Sequence, residues 1–193
     1  MSNHVLKGLL FLTIPMRVWN FLCQDFGATT FLLSVAWNCD SGALIVGRLS
    51  KSIQAPDNRI PPPQWLVKIS PAKSVEGVLG GLMAGCLTCV CWPFLWQGLV
   101  LFRELAASST WMESSSMDSS GMATEGLSLT ERISLGLILS ILAIVGDLWE
   151  SSTKRQGGVK DSGKLLPGHG GILDRFDSSA LPVLFYTYYY YYS

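Results

Sequence analysis

Charge is what this sequence has least of. Of its 193 residues 15% are charged, against about 25% in an ordinary soluble domain, and 14 Lys and Arg balance 14 Asp and Glu. A chain without a basic excess is not built to neutralise a run of nucleic-acid phosphates. Nor is it a disordered chain, because 49% of its residues are hydrophobic and disordered segments are apolar-poor and highly charged. Cysteine is scarce and odd in number: five do not make the disulfide framework of a small secreted domain. Histidine occurs twice, and no Ser–His or Cys–His arrangement marks a covalent nucleophile. With a mean hydropathy of +0.34, the remaining class is a single domain-sized chain set in a membrane.

The few charges are clumped, and the blanks between them are long. From Phe26 to Val46 the one charge is Asp40, and from Val75 to Phe102 it is Glu76. A third apolar stretch opens with Ser128-Leu129-Thr130-Glu131 and, after Arg132, runs to Trp149 with Asp147 as its one charge. Its opening is a capping box, in which the Glu side chain returns a hydrogen bond to the Ser amide. About 20 apolar residues cross the hydrocarbon of a bilayer, so each blank predicts a spanning helix. Buried helices of a soluble core are disfavoured, because no amphipathic partners exist to cover them. The predicted fold is therefore all-α, a polytopic transmembrane bundle over residues 1–193 with an inserted flexible loop at 106–126, rich in Ser and Met.

The loops alternate in sign. Gly47–Ser74 carries Arg48, Lys51, Arg59, Lys68 and Lys73 against Asp57 alone. Arg103–Arg132 sets Glu104, Glu113, Asp118, Glu125 and Glu131 against its two terminal arginines. Glu150–Asp177 is again rich in bases: Lys154, Arg155, Lys160, Lys164 and Arg175. The positive-inside rule puts the first and third loops together on the cytosolic-type face and the acidic loop opposite. The ends read less simply. Leu6–Val18 is apolar but short and holds Lys7, Pro15 and Arg17, which suits a helix end or an interfacial segment. Leu181–Tyr192 is about a dozen residues, too short to span, and its tyrosine run suits interfacial anchoring.

Small residues recur inside the second blank. Gly77, Gly81 and Gly85 stand every fourth residue, a spacing that lets a neighbouring helix approach closely in lipid and hints at a homodimer. A phosphate-cradling loop is the weaker reading, since no Gly-Lys-Ser/Thr follows. Cys86, Cys89 and Cys91 invite a metal, but on a helix Cys91 points about 200° away from Cys89. Small apolar filler is favoured over a zinc site.

The densest polar signal runs from Gly146 to Asp177: GDLWESSTKRQGGVKDSGKLLPGHGGILDRFD. Asp147, Asp161, Asp174 and Asp177 alternate with the five bases, and His169 lies among glycines in Gly168-His169-Gly170-Gly171. A solvated charged loop would leave Asp147 unexplained, because an ionisable group at the inner end of an apolar helix is costly and usually functional. Carboxylates converging with Lys and Arg at a membrane face suit a divalent cation together with phosphate groups. Phosphoryl-type transfer needs positioning and charge stabilisation more than a side-chain nucleophile.

This stretch closely resembles the signature of the CDP-diacylglycerol synthases (phosphatidate cytidylyltransferases). It is matched by Ser151, Lys154, Arg155, Lys160, Asp161, Pro167, His169, Gly170, Gly171, Asp174, Arg175 and Asp177; Thr153 departs from the usual apolar residue. Upstream, WNCDSGALIVGRL resembles a second family segment through Asp40, Ala43, Gly47 and Arg48. ISPAKSVEGVLGG resembles a third through Ser70, Pro71, Lys73, Ser74, Glu76, Gly77, Gly80 and Gly81. The family normally carries more membrane helices upstream of these motifs.

The resemblance implies transfer of CMP from CTP to phosphatidic acid, with Mg²⁺ as cofactor; a second cation about 4 Å from it is chemically natural. It implies that Asp147 and Asp174 hold metal, with Asp161 and Asp177 as further acids. Lys154, Arg155, Lys160 and Arg175 would bind the triphosphate and the lipid phosphate, close to His169, Gly170 and Gly171. Asp40, Ser70, Lys73, Glu76 and Ser151 would complete the substrate site. The alternative is a truncated, non-catalytic relative acting as a membrane partner subunit.

Overall fold

The computed structural model describes residues 25–53, 60–71, 73–109, 124, 126–158 and 173–192. Among them every regular element is a helix: α1 (Phe26–Ile53), the short α2 (Gln64–Ile69), α3 (Val75–Ser109), α4 (Leu129–Gln156) and α5 (Leu173–Tyr192). Three helices are long and apolar enough to cross a membrane, over Phe26–Ile53, Val75–Phe102 and Leu129–Gln156, each 28 residues. At about 1.5 Å per residue that is about 42 Å, longer than a hydrocarbon core of about 30 Å. The helix ends therefore project into the headgroup layers, where charge is tolerated.

Local chemistry starts each of the three. Asp25 caps α1, its Oδ1 accepting from the Ala28 amide at 3.0 Å. Ser74 caps α3, its Oγ accepting from the Gly77 amide at 3.2 Å. At α4 both arms of the predicted capping box are present, with the Ser128 amide donating to Glu131 Oε2 at 2.7 Å. Each cap satisfies a backbone donor that a helix start leaves without a partner.

α1, α3 and α4 pack in succession, and α5 lies against α4 and α1. The helices alternate in direction, so each end of the bundle gathers residues from distant parts of the chain. At one end Phe31, Trp92, Trp96, Leu135, Leu139, Val183 and Tyr186 form a buried core. Phe31 meets the Trp92 ring edge-on at 5.2 Å and Tyr186 at 5.5 Å, separations at which aromatic pairs attract beyond their burial. The opposite end holds the polar residues.

The glycine ladder works within the chain. A Cβ at Gly81 would stand 2.9 Å from the Cys39 carbonyl oxygen and 3.3 Å from its Sγ, and one at Gly77 would stand 2.9 Å from the Ala43 carbonyl. Gly85 faces Ser140 of α4. α1 and α3 thus touch backbone to backbone, as small residues permit in lipid, and these glycines carry no argument for a dimer. Cys39 and Cys89 are buried free thiols, Cys89 in line with its reading as filler; the Cys39 Sγ donates to the Ser140 carbonyl at 3.8 Å.

Several boundaries differ from those expected. α1 continues past Val46 through Gly47, Arg48 and Lys51 to Ile53, and α4 continues past Trp149 through Ser151, Lys154 and Arg155 to Gln156. Charge ended the apolar runs without ending the helices. α3 continues to Ser109, so the first four residues of the segment 106–126 are helical. Leu181–Tyr192 is the second half of a 20-residue helix; Tyr186 is fully buried in the aromatic core, while Tyr188 is exposed. Leu6–Val18 lies outside the described residues.

Replacing Gly81 by Val should lower the unfolding temperature in detergent by the equivalent of about 1–3 kcal/mol, the usual cost of overpacking. Gly98→Ala, where an added Cβ meets nothing within 4 Å, should leave it unchanged or raise it by ~0.5–1 kcal/mol. Equal effects of the two substitutions would contradict the close α1–α3 contact.

Candidate active site

The polar end of the bundle encloses a cavity of about 450 Å³ lined by α1, α3, α4 and the α2–α3 turn. From α1 come Asp40, Leu44, Gly47, Arg48 and Lys51; from the turn Ser70, Lys73 and Ser74; from α4 Ile144 and Asp147. Along α1 the spacing of Asp40, Leu44, Gly47 and Lys51 is four, three and four residues, the repeat of one helix face. The helix ends predicted from hydropathy hid that face.

One contact joins two motifs far apart in sequence. The Lys73 ammonium forms an ion pair with Asp147 Oδ2, and the two side chains are 24% and 26% exposed. Ser151, one helical turn beyond Asp147, donates to its Oδ1 at 3.3 Å. A second ion pair, Lys154 with Glu150, runs along α4, and the Glu150 side chain is 3% exposed. α5 brings the next carboxylate. Gly146 lets it come close, since a Cβ there would stand 2.5 Å from the Asp177 carbonyl oxygen. Ser178 of α5 lies near Asp40 of α1, where those two helices touch.

Asp40, Asp147, Glu150 and Asp177 consequently act on one another. Burial first, and the nearby Asp147 second, push the Asp177 carboxyl up to about 7, with Glu150 and Asp40 adding to the rise. The Ser178 amide, donating to Asp177 Oδ1 at 2.7 Å, opposes it. Among the described residues no three His, Cys, Asp or Glu form a ready metal cage. The donor set nonetheless suits Mg²⁺, which takes one or two carboxylates and completes its octahedron with water and phosphate oxygens.

Asp40, Ser70, Lys73 and Asp147 thus meet at the cavity, with Ser151 bonded to Asp147 and Asp177 acting on the same group. Glu76 does not line it; its Oε1 accepts from the Ile60 amide at 3.1 Å and ties the segment before α2 to the first turn of α3. Arg155 is exposed on the last turn of α4. Asp174 and Arg175 stand in the first turn of α5, their side chains outside the described residues, as are Lys160, Asp161, His169, Gly170 and Gly171 entirely. Arg48 carries a motif match without an assigned role in the site, and Lys51 and Glu150 carry neither. The continuing helical spacing would have found the first two, and the Glu150/Lys154 pair at i, i+4 the third.

Comparison with known proteins decides what this arrangement belongs to. The sequence profile described as "Cytidylyltransferase family" matches residues 4–193. The chain belongs to the cytidylyltransferase family. It is similar to the phosphatidate cytidylyltransferase of Haemophilus influenzae, 34% identical over 163 residues, which are 84% of this chain and 45% of that protein. It is also similar to that of Staphylococcus saprophyticus, 37% identical over 156 residues (80% of this chain, 46% of that protein). The phosphatidate cytidylyltransferase of Brucella suis is 35% identical over 156 residues (80% of this chain, 44% of that protein). The chain therefore spans a little under half the length of these curated relatives.

The raised Asp177 carboxyl has a signed consequence. Between its ordinary value near 4 and about 7 the folded state holds a proton that the unfolded state has released, so this group's contribution to stability is lost as pH rises through that window. In detergent with EDTA, the unfolding temperature of the wild type should fall more steeply from pH 5 to pH 8 than that of Asp177→Asn. Parallel profiles would contradict the crowding of Asp177.

Proposed function

We propose that the chain transfers CMP from CTP to phosphatidic acid, giving CDP-diacylglycerol and pyrophosphate, at the end of the bundle where its basic residues collect. An oxygen of the lipid phosphate attacks the α-phosphorus of CTP; the bond from that phosphorus to the oxygen bridging it to the β-phosphate breaks, and pyrophosphate leaves. The observation that carries this reading is the Lys73–Asp147 pair, which joins the Ser70–Glu76 motif to the long signature at one cavity. The names of the similar proteins point the same way.

In this reading the chain's residues divide the work by charge. Arg48, Lys51 and Lys73 line the cavity and offset phosphate charge that builds up as the nucleophile, the α-phosphoryl group and the leaving group come into line. Lys154, Arg155, Lys160 and Arg175 supply further positive charge from the signature, with His169, Gly170 and Gly171 beside the phosphates. Asp147, Asp177, Asp161 and Asp174 would hold Mg²⁺, with Asp40 and Glu150 adding negative potential. The ion, when bound, neutralises phosphate charge and polarises the phosphoryl group. Ser151 and Lys73 keep the Asp147 carboxylate oriented. The basic ends of α1 and α4 support a site on the cytosolic-type face.

In purified, lipid-reconstituted protein, Lys73→Met and Asp147→Asn should each lower Mg²⁺-dependent formation of CDP-diacylglycerol from CTP and phosphatidate by roughly a hundredfold or more, the usual cost of losing a charge-stabilising group. Near-normal turnover in either variant would refute the site. Expression in a synthase-deficient cell tests the activity itself. Rescue by the wild type, and none by Asp147→Asn, is the expected result; no rescue by the wild type favours a non-catalytic partner subunit.

A further inference from the structure

The segment from Ile60 to Ile69 sits where the polar ends of α1, α3 and α4 meet, and three ties fix it there. The Ile60 amide is held by Glu76 in the first turn of α3. Leu66, 3% exposed, is the one buried residue of α2, which packs on α4. Beyond α2 the chain passes directly into Ser70 and Lys73 in the cavity wall. Pro61, Pro62 and Pro63 stiffen the approach. The segment is thereby held against the polar end of the bundle.

What it turns outward is mostly apolar. Ile60 is 51% exposed, Trp65 57% and Val67 44%, and Lys68 is exposed beside them. The adjoining helix ends carry Arg48, Lys51, Lys154 and Arg155. Three exposed apolar groups in water would be a liability, but at the boundary of a bilayer a Trp with flanking bases is well placed. The indole sits at headgroup level, and Lys and Arg attract anionic lipids. The outer sides of the spanning helices likewise expose Leu49, Leu79 and Met83.

We propose that Ile60–Ile69 is an interfacial plate lying in the headgroup layer, with Ile60 and Trp65 turned toward the acyl boundary and Lys68, on the same side of α2 as Trp65, reaching anionic headgroups. Its far end delivers Ser70 and Lys73 to the cavity, so the plate forms a sill over which a lipid phosphate passes from the bilayer surface into the site. The sill function rests on the cytidylyl-transfer reading; the plate's position in the membrane does not.

Two measurements separate the parts. In vesicles of phosphatidylcholine and phosphatidylglycerol, an environment-sensitive fluorophore is attached at Trp65→Cys, in a background whose native cysteines are replaced by alanine. It should be quenched by nitroxides placed shallow in the acyl chains and shielded from aqueous iodide. Free quenching by iodide would overturn the plate, and protection from both quenchers would overturn it in favour of a protein cover. Kinetically, Trp65→Ser should raise KM for vesicle-borne phosphatidate roughly three- to tenfold, as loss of about half the burial of one large side chain would. KM for CTP and kcat should hold. An unchanged KM for phosphatidate would overturn the sill. If the wild type makes no CDP-diacylglycerol, the cytidylyl-transfer reading and the sill fail together, while the quenching result still decides where the plate lies.

Discussion

A lysine from a short turn and an aspartate from a spanning helix form an ion pair, and the polar end of the bundle is organised around it. Asp147 stands near the end of an apolar helix among other carboxylates, where an unpaired charge is expensive. Lys73 neutralises it, and Ser151 bonds its other oxygen. Holding Lys73 there fixes the α2–α3 turn, and with it Ser70 and the first turn of α3. The cap of Ser74 on Gly77 and the tie from Glu76 to Ile60 then follow from the same placement.

Around this pair the charges separate by sign. Carboxylates from three helices, Asp40, Asp147 with Glu150, and Asp177, act on one another closely enough to lift Asp177 to about 7. Arg48, Lys51 and Lys73 stand along the cavity. Crowded carboxylates beside bases that line a cavity are chemically suited to a divalent cation and to phosphates respectively. The close helix contacts make the crowding achievable: at Gly81 and Gly146 a side chain would collide with the backbone of the next helix. The aromatic core at the opposite end, centred on Phe31, Trp92 and Tyr186, holds the four long helices together without using any polar group that the site needs.

Much of this was legible in the residues. The long apolar runs, each with a single charge, marked three spanning helices, and the capping box at Ser128 marked the start of one of them. The alternating sign of the loops placed both motifs at one end, as the Lys73–Asp147 contact now requires. What hydropathy could not reveal is where a helix stops once it leaves lipid. Charges at Arg48, Lys51, Lys154 and Arg155 end an apolar run, yet backbone hydrogen bonding continues through them, so these residues sit on ordered helix faces rather than in loops. Tyr186 was hidden for a related reason: its ring partner Phe31 lies on the first helix, far away in the chain, and a tyrosine-rich terminus carries no local sign of it. Glu76 shows the limit of motif reasoning, since its carboxylate holds a backbone amide and not the cavity.

The dependence of the site on one cross-motif pair is tested most directly by a double-mutant cycle on stability. Unfolding free energies of the wild type, Lys73→Met, Asp147→Asn and the double variant would be measured in the same detergent at pH 7.5. The account predicts non-additivity, with a favourable coupling of about 0.5–3 kcal/mol between the two positions. Additive effects, with a coupling indistinguishable from zero, would contradict it.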